Sequence, residues 1–173
     1  MKRGLFVSVL ALVAVFFIPP VRADDTLARF KGGIGVHPVS NVAGTPVGAN
    51  FPDVTRNVVR NINPAGQVWV IADLDARVAT NGDINVRGKG LVLAGGNSAG
   101  RATGQSVFAT LICEAAAPFT ERSTNLAGVA LSANGDFKID DILSPLPSGE
   151  CASPLLLIRN ASGGTWFAVG IVE

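Results

Sequence analysis

The sequence predicts an all-β protein: an antiparallel β-sandwich, Ig-like or jelly-roll-like, of about seven to nine strands, with a small β-barrel as the alternative. Three observations predict it. Residues 67–79 read QVWVIADLDARVA, with Val68, Val70, Ala72, Leu74, Ala76 and Val78 on one face and Asp73, Asp75 and Arg77 on the other. That period of two marks a half-buried strand. The tripeptide Asn-Gly-Asp occurs twice, at residues 81–83 and 134–136, each time between apolar runs. Asn-Gly readily takes the positive φ values of a tight hairpin turn. The third observation is the run of short apolar segments, separated by Gly, Pro, Asn and Ser clusters, that continues to Glu173.

The first segment is a targeting signal. Lys2 and Arg3 precede an uncharged apolar run at residues 5–18, then Pro19 and Pro20, then Val21-Arg22-Ala23. This is the layout of a Sec-type signal peptide cleaved after Ala23, leaving residues 24–173 as a single secreted or periplasmic domain of bacterial type. The run is shorter than the roughly 20 apolar residues of a membrane-spanning helix, so no transmembrane segment is expected in the mature chain.

Residues 24–66 read as the less regular part of that domain. Residues 32–39 suit a first strand. Val54, Val58, Val59 and Ile62 would also fit one face of a helix capped by Asp53. Their β-branched side chains and the neighbouring asparagines favour a strand. Asn63-Pro64-Ala65-Gly66 then serves as a turn. Beyond the strand at 67–79, a return strand spans residues 84–93. Further strands are expected at 106–113, at 126–133 leading into the second Asn-Gly-Asp turn, and around Phe137, Ile139 and Ile142. The last two, at 155–159 and 165–172, are joined by the turn-rich residues 160–164.

Charge and cysteine content narrow the function classes. The chain carries 14 basic and 13 acidic residues; without Lys2, Arg3 and Arg22 this becomes 11 against 13, a net charge of −2. No nucleic-acid partner is expected from such a balance. Cys113 and Cys151 are the two cysteines, and in an exported chain an isolated pair is expected to form a disulfide. Two thiols and a lone His37 are too few for structural zinc, so neither a metal nor a cofactor is expected. An outer-membrane barrel would need aromatic girdles, which a chain with no tyrosine and two tryptophans does not supply.

Gly96-Asn97-Ser98-Ala99-Gly100 has the G-x-S-x-G spacing of a hydrolase nucleophile elbow. An elbow needs a helix after the serine and a histidine downstream, and no histidine follows Ser98. The order His37, Asp73, Ser98 resembles that of chymotrypsin-like proteases, which makes a small secreted serine hydrolase the alternative function. Against it, Ala99 stands where those proteases place a glycine, and only 25 residues separate Asp73 from Ser98. A Walker phosphate loop fails because Gly100 is followed by Arg101 and Ala102 rather than Lys and Ser/Thr. The Asp73/Asp75 pair reads as solvated strand-face charge.

The residues therefore point to a non-catalytic binding or structural module, whose partner is a protein or a carbohydrate; nothing in the pattern sets its oligomeric state. Function on such scaffolds sits in loops. The candidate contact residues are Gly95, Asn97, Ser98 and Arg101 within the loop at 95–105, together with the proline-fenced loop at 144–153. Trp69, if it lies on the polar face beside Asp73, would add a stacking surface. Asn160-Ala161-Ser162 is a glycosylation sequon of consequence only in a eukaryotic secretory pathway. Mass spectrometry of the mature protein is expected to find Asp24 as its first residue; an intact Met1 would refute the signal-peptide reading.

Overall fold

Among the described residues of the computed structural model, 25–47 and 51–173, thirteen strands form and no helix. The signal-peptide reading of residues 1–23 lies outside the described residues. The strands are β1 (Thr26–Gly35), β2 (Val39–Val47), β3 (Phe51–Arg56), β4 (Trp69–Val70), β5 (Asp73–Ala79), β6 (Asp83–Lys89), β7 (Val92–Leu93), β8 (Ser106–Ile112), β9 (Arg122–Ser123), β10 (Val129–Ala130), β11 (Phe137–Ile142), β12 (Leu155–Asn160) and β13 (Trp166–Val172).

Nine of them form one antiparallel sheet in the order β10-β8-β12-β13-β1-β5-β6-β11, with β9 pairing β8 off that path. The sheet curls until its two ends meet. Ser123 of β9 donates its N–H to the carbonyl of Ser144 at 2.9 Å, and Ser144 returns the bond at 2.8 Å, two residues beyond the end of β11. Of the two expected architectures the barrel is the one formed. A sandwich would divide the strands between two sheets; here β1 pairs with both β13 and β5, so the two halves of the chain share one ladder.

The barrel interior is a packed apolar core. In β5 and β6 burial alternates strictly, with Leu74, Ala76, Val78, Ile84 and Val86 inside. Each of the Leu, Val and Ile side chains contributes about 1.5–3 kcal/mol when fully withdrawn from water. Phe30, Val107, Leu111, Leu156 and Ile158 complete the filling. Strands β8 and β12 and the first half of β13 are buried almost throughout, because a second layer covers their outer side. Part of that layer is the segment at residues 57–66. Its Pro64 bridges Trp166, and the Trp166 indole N–H donates to the Asn57 carbonyl at 3.1 Å.

The expected strand at 67–79 is interrupted at Ile71 and Ala72, and its two parts bury opposite phases. Trp69 is buried and Val70 exposed in β4, whereas Leu74, Ala76 and Val78 are buried in β5. The return strand breaks likewise at Gly90 and Leu91 into β6 and β7, so that β4 and β7 pair as a separate two-stranded sheet. Gly35 permits this crossing: a Cβ there would lie 2.0 Å from the Trp69 carbonyl oxygen.

The first strand runs from Thr26 rather than from residue 32, and β2 and β3 form a two-stranded ribbon of their own. The strand reading of Val54 is correct. Beyond it, Val59 and Ile62 exchange both backbone hydrogen bonds around Arg60 and Asn61, which carry φ of 46° and 68°. This is a two-residue hairpin turn without a glycine.

Both Asn-Gly-Asp turns close in the same way. Asn81 donates to the Asp83 carboxylate at 2.8 Å and Asn134 to the Asp136 carboxylate at 3.0 Å, while Gly82 and Gly135 supply the positive φ. Their roles differ. The first joins the paired strands β5 and β6; the second links β10 to β11, which pair with β8 and β6 and not with each other. The expected strand at 126–133 accordingly shrinks to Val129–Ala130.

Cys113 and Cys151 form the expected disulfide, tying the end of β8 to the loop at 144–153. Arg60 secures the same junction. Its guanidinium donates to the carbonyls of Ile112 (2.9 Å) and Ser153 (2.8 Å) and to the Ser153 hydroxyl (2.7 Å). Those bonds offset a left-handed arginine, which costs on the order of 1–3 kcal/mol.

Replacing both cysteines by serine is expected to cost about 2–5 kcal/mol and lower Tm by several degrees; an unchanged melting curve would show that the crosslink does not matter to stability. Gly35→Ala is expected to destabilise by about 2 kcal/mol or more, through displacement of β4, as read by urea denaturation.

Candidate functional site

The glycine-rich loop after β7 folds back on itself. Gly100 donates to the Leu93 carbonyl at 2.8 Å, and Leu93 donates to the Arg101 carbonyl at 3.1 Å. Successive turns, Ala99 to Gly96 and Arg101 to Ser98, occupy the tip, and the chain then runs through Ala102 into β8 rather than into a helix. Gly95, Asn97 and Arg101 are exposed and Ser98 is half-buried. His37 is exposed and its carbonyl accepts from Asn57; Asp73 is exposed on β5 opposite Lys89. Among the described residues no hydrogen bond joins Ser98, His37 and Asp73. Gly95, with Pro38 and Gln67, lines only a depression of about 270 Å³.

Trp69 does not lie on the polar face. Its ring is buried and stacked on Phe167, with centroids 4.1 Å apart and planes 13° from parallel. The break at Ile71 and Ala72 reverses its phase, so it offers no stacking surface to a ligand. Asn160 is likewise buried. It accepts from the Gly163 N–H at 2.8 Å and the Ser162 hydroxyl at 2.6 Å, and donates to Gln105, so the sequon asparagine holds its own turn together.

A more substantial concavity lies elsewhere, on the barrel wall at the seam where β9 meets the end of β11. It measures about 780 Å³, within the range of small-ligand sites. Phe108, Glu121, Leu126, Asp141, Ile142 and Arg159 are its main lining groups. Each is set in place by a local feature. The turn at 160–164 presents the Gly164 carbonyl to Arg159 Nε at 2.7 Å. The Arg159 guanidinium then spans to the Thr110 hydroxyl at 3.3 Å and to the Glu121 carboxylate, and lies 5.1 Å over the Phe108 ring. Its side chain is only 12% exposed, against 46% for Glu121. Asp141 turns back to accept from the N–H groups of Asn125 and Ile142, both at 2.8 Å. Leu126 and Ile142 remain 61% and 56% exposed.

Glu121 and Ser123 are carried by the segment following β8, which Glu114 anchors. One Glu114 oxygen accepts from the Thr120 N–H at 3.2 Å, and the other from Arg122 Nη1 at 3.0 Å. Burial alone would raise this carboxyl. The backbone N–H groups of Thr120 and of Glu114 itself, with the Arg122 guanidinium, outweigh burial and hold it at about 2.

Sequence reasoning reached this cleft only at Ser144, the first residue of one proposed contact loop. A further signal was present in β11. Phe137 and Ile139 set a period of two that Ile142 breaks, leaving an apolar side chain outward. No family model, curated protein or solved structure matches the chain.

The Glu114 pKa is depressed in the folded state from 4.5, so its stabilisation is present above that value and is lost as pH falls towards about 2. With the side chain 27% exposed, solvent screening leaves about 1–2 kcal/mol of effect. Glu114→Gln is expected to lower stability at about pH 7 by that amount, and the gap from the parent should close as pH drops through this window. Urea midpoints measured across that range decide the matter; a constant gap would refute the linkage.

Proposed function

We propose that this chain is an exported, non-catalytic binding module that receives an extracellular or periplasmic protein or carbohydrate partner at the cleft on its barrel wall. One observation carries the reading. Leu126 and Ile142, each more than half exposed, come from separate segments and converge on one cleft that also holds the ionic pair of Arg159 and Glu121. Apolar groups left in water beside fixed polar groups characterise binding sites. The disulfide fits an oxidising compartment, in keeping with a signal peptide at residues 1–23. The non-catalytic part rests on chemistry: a serine hydroxyl needs a base within hydrogen-bond reach to become a nucleophile. The chain's one histidine, His37, is bonded through its backbone to Asn57 and not to Ser98.

Two measurements test this. A fluorophosphonate probe is expected to leave the mature protein unlabelled; labelling that disappears in Ser98→Ala would overturn the reading in favour of a serine hydrolase. Hydrogen exchange of the protein mixed with its native extracellular or periplasmic fraction should show protection at residues 121–126 and 141–144. Protection confined to residues 95–105 would move the site to the glycine-rich loop.

A further inference from the structure

We propose that the occupant of the wall cleft is a cationic peptide segment, an extended stretch in which aliphatic side chains stand next to lysine or arginine. This rests on the reading of the cleft as a binding site.

The apolar surface offered is aliphatic. Leu126 and Ile142 supply the exposed part, and the one aromatic lining group, Phe108, is buried beneath the Arg159 guanidinium. Trp69 and Trp166 are buried and neither lines the cleft, so the cleft presents no open aromatic face for stacking a pyranose ring. Branched aliphatic walls instead suit Leu-, Val- or Ile-sized side chains.

The charge that reaches the cleft is negative. Two carboxylates, Glu121 and Asp141, and one guanidinium, Arg159, line it. The guanidinium is largely covered and committed to Glu121, Thr110 and the Gly164 carbonyl. Glu121 uses one oxygen for Arg159 and leaves the other at the exposed rim. The neighbouring Asp140 and Lys138 pair with each other at 3.3 Å and add little field of either sign. An ammonium or guanidinium from a partner therefore meets an unmatched carboxylate, whereas an anionic partner meets repulsion.

Peptide backbone also finds complementary groups. Among the described residues the Asn125 side-chain amide nitrogen donates no hydrogen bond, and the Ser144 hydroxyl makes none, although both line the cleft. Together they can donate to a carbonyl and accept from an N–H.

The test is an NMR titration of the mature protein with three capped pentapeptides that share alternating aliphatic positions and carry two lysines, two glutamines or two glutamates, alongside neutral hexasaccharides. The lysine peptide is expected to bind, to weaken as salt rises, and to shift the amides of Leu126, Asp141 and Ile142. Glu121→Gln should weaken it about two- to five-fold, with little effect on the glutamine peptide. Leu126→Ser with Ile142→Ser should reduce binding of both, in a variant whose melting curve shows it folded. If the glutamate peptide binds as tightly as the lysine peptide, or a hexasaccharide shifts the same amides while the lysine peptide does not, the cationic-peptide inference falls and the binding-module reading stands. If no probe shifts the cleft amides, the inference falls; the module reading falls with it only if the native fraction also leaves the cleft unprotected in hydrogen exchange.

Discussion

The reciprocal hydrogen bonds between Ser123 and Ser144 join the two ends of the main sheet. A curled sheet that fails to meet leaves two rows of unpaired backbone groups, and closure removes that liability. Here β10 and β11 end the ladder without pairing each other, so closure falls to β9, only two residues long, and to Ser144, two residues beyond β11. The Asp141 carboxylate adds to it by accepting from the Asn125 N–H, taking a role that a strand carbonyl would otherwise fill. A seam built from so few backbone bonds leaves a hollow in the wall, and the cleft of about 780 Å³ is found there.

The second constraint is that three adjacent strands, β8, β12 and β13, are apolar on both faces. A barrel can bury only one face in its interior. The outer face must be covered, and the chain does this with the segment at residues 57–66 and with charged side chains laid flat. Arg159 over Phe108 is an example: its aliphatic stem and guanidinium plane shield the ring while its polar edge is satisfied by Thr110, Gly164 and Glu121. Arg60 acts similarly at the disulfide end, where it binds Ile112 and Ser153 and lies 5.8 Å over Phe119. The same device thus serves packing at one end and frames the wall cleft at the other.

Much of the scaffold follows from local pattern. The alternation in residues 73–79 and 83–89, the Asn-Gly-Asp turns, the strands at 106–112, 155–160 and 166–172, and the pairing of the two cysteines are all carried by short-range chemistry that tertiary packing reinforces. Sequence reasoning went astray where a long-range contact overrode local phase. The run through Trp69 and Ala72 looks continuous, yet Trp69 is buried against Phe167, out of step with Leu74. The turn at Arg60 and Asn61 carried no glycine to announce it, because what stabilises it is the arginine's bonds to residues 52 and 93 positions away.

The sequence by itself determined that the chain is all-β, that its strands turn at the two Asn-Gly-Asp sites, and that Cys113 and Cys151 are joined. Each depends on periodicity, on turn stereochemistry or on there being a single pair of thiols. Only the tertiary structure decided between barrel and sandwich, because that choice turns on which distant strands pair and not on how any strand alternates. The position of the cleft was decided in the same way. Phe108, the segment carrying Glu121 and Leu126, Ile142 and Arg159 come from four separate stretches of chain, and only closure of the sheet at Ser123 and Ser144 brings them together.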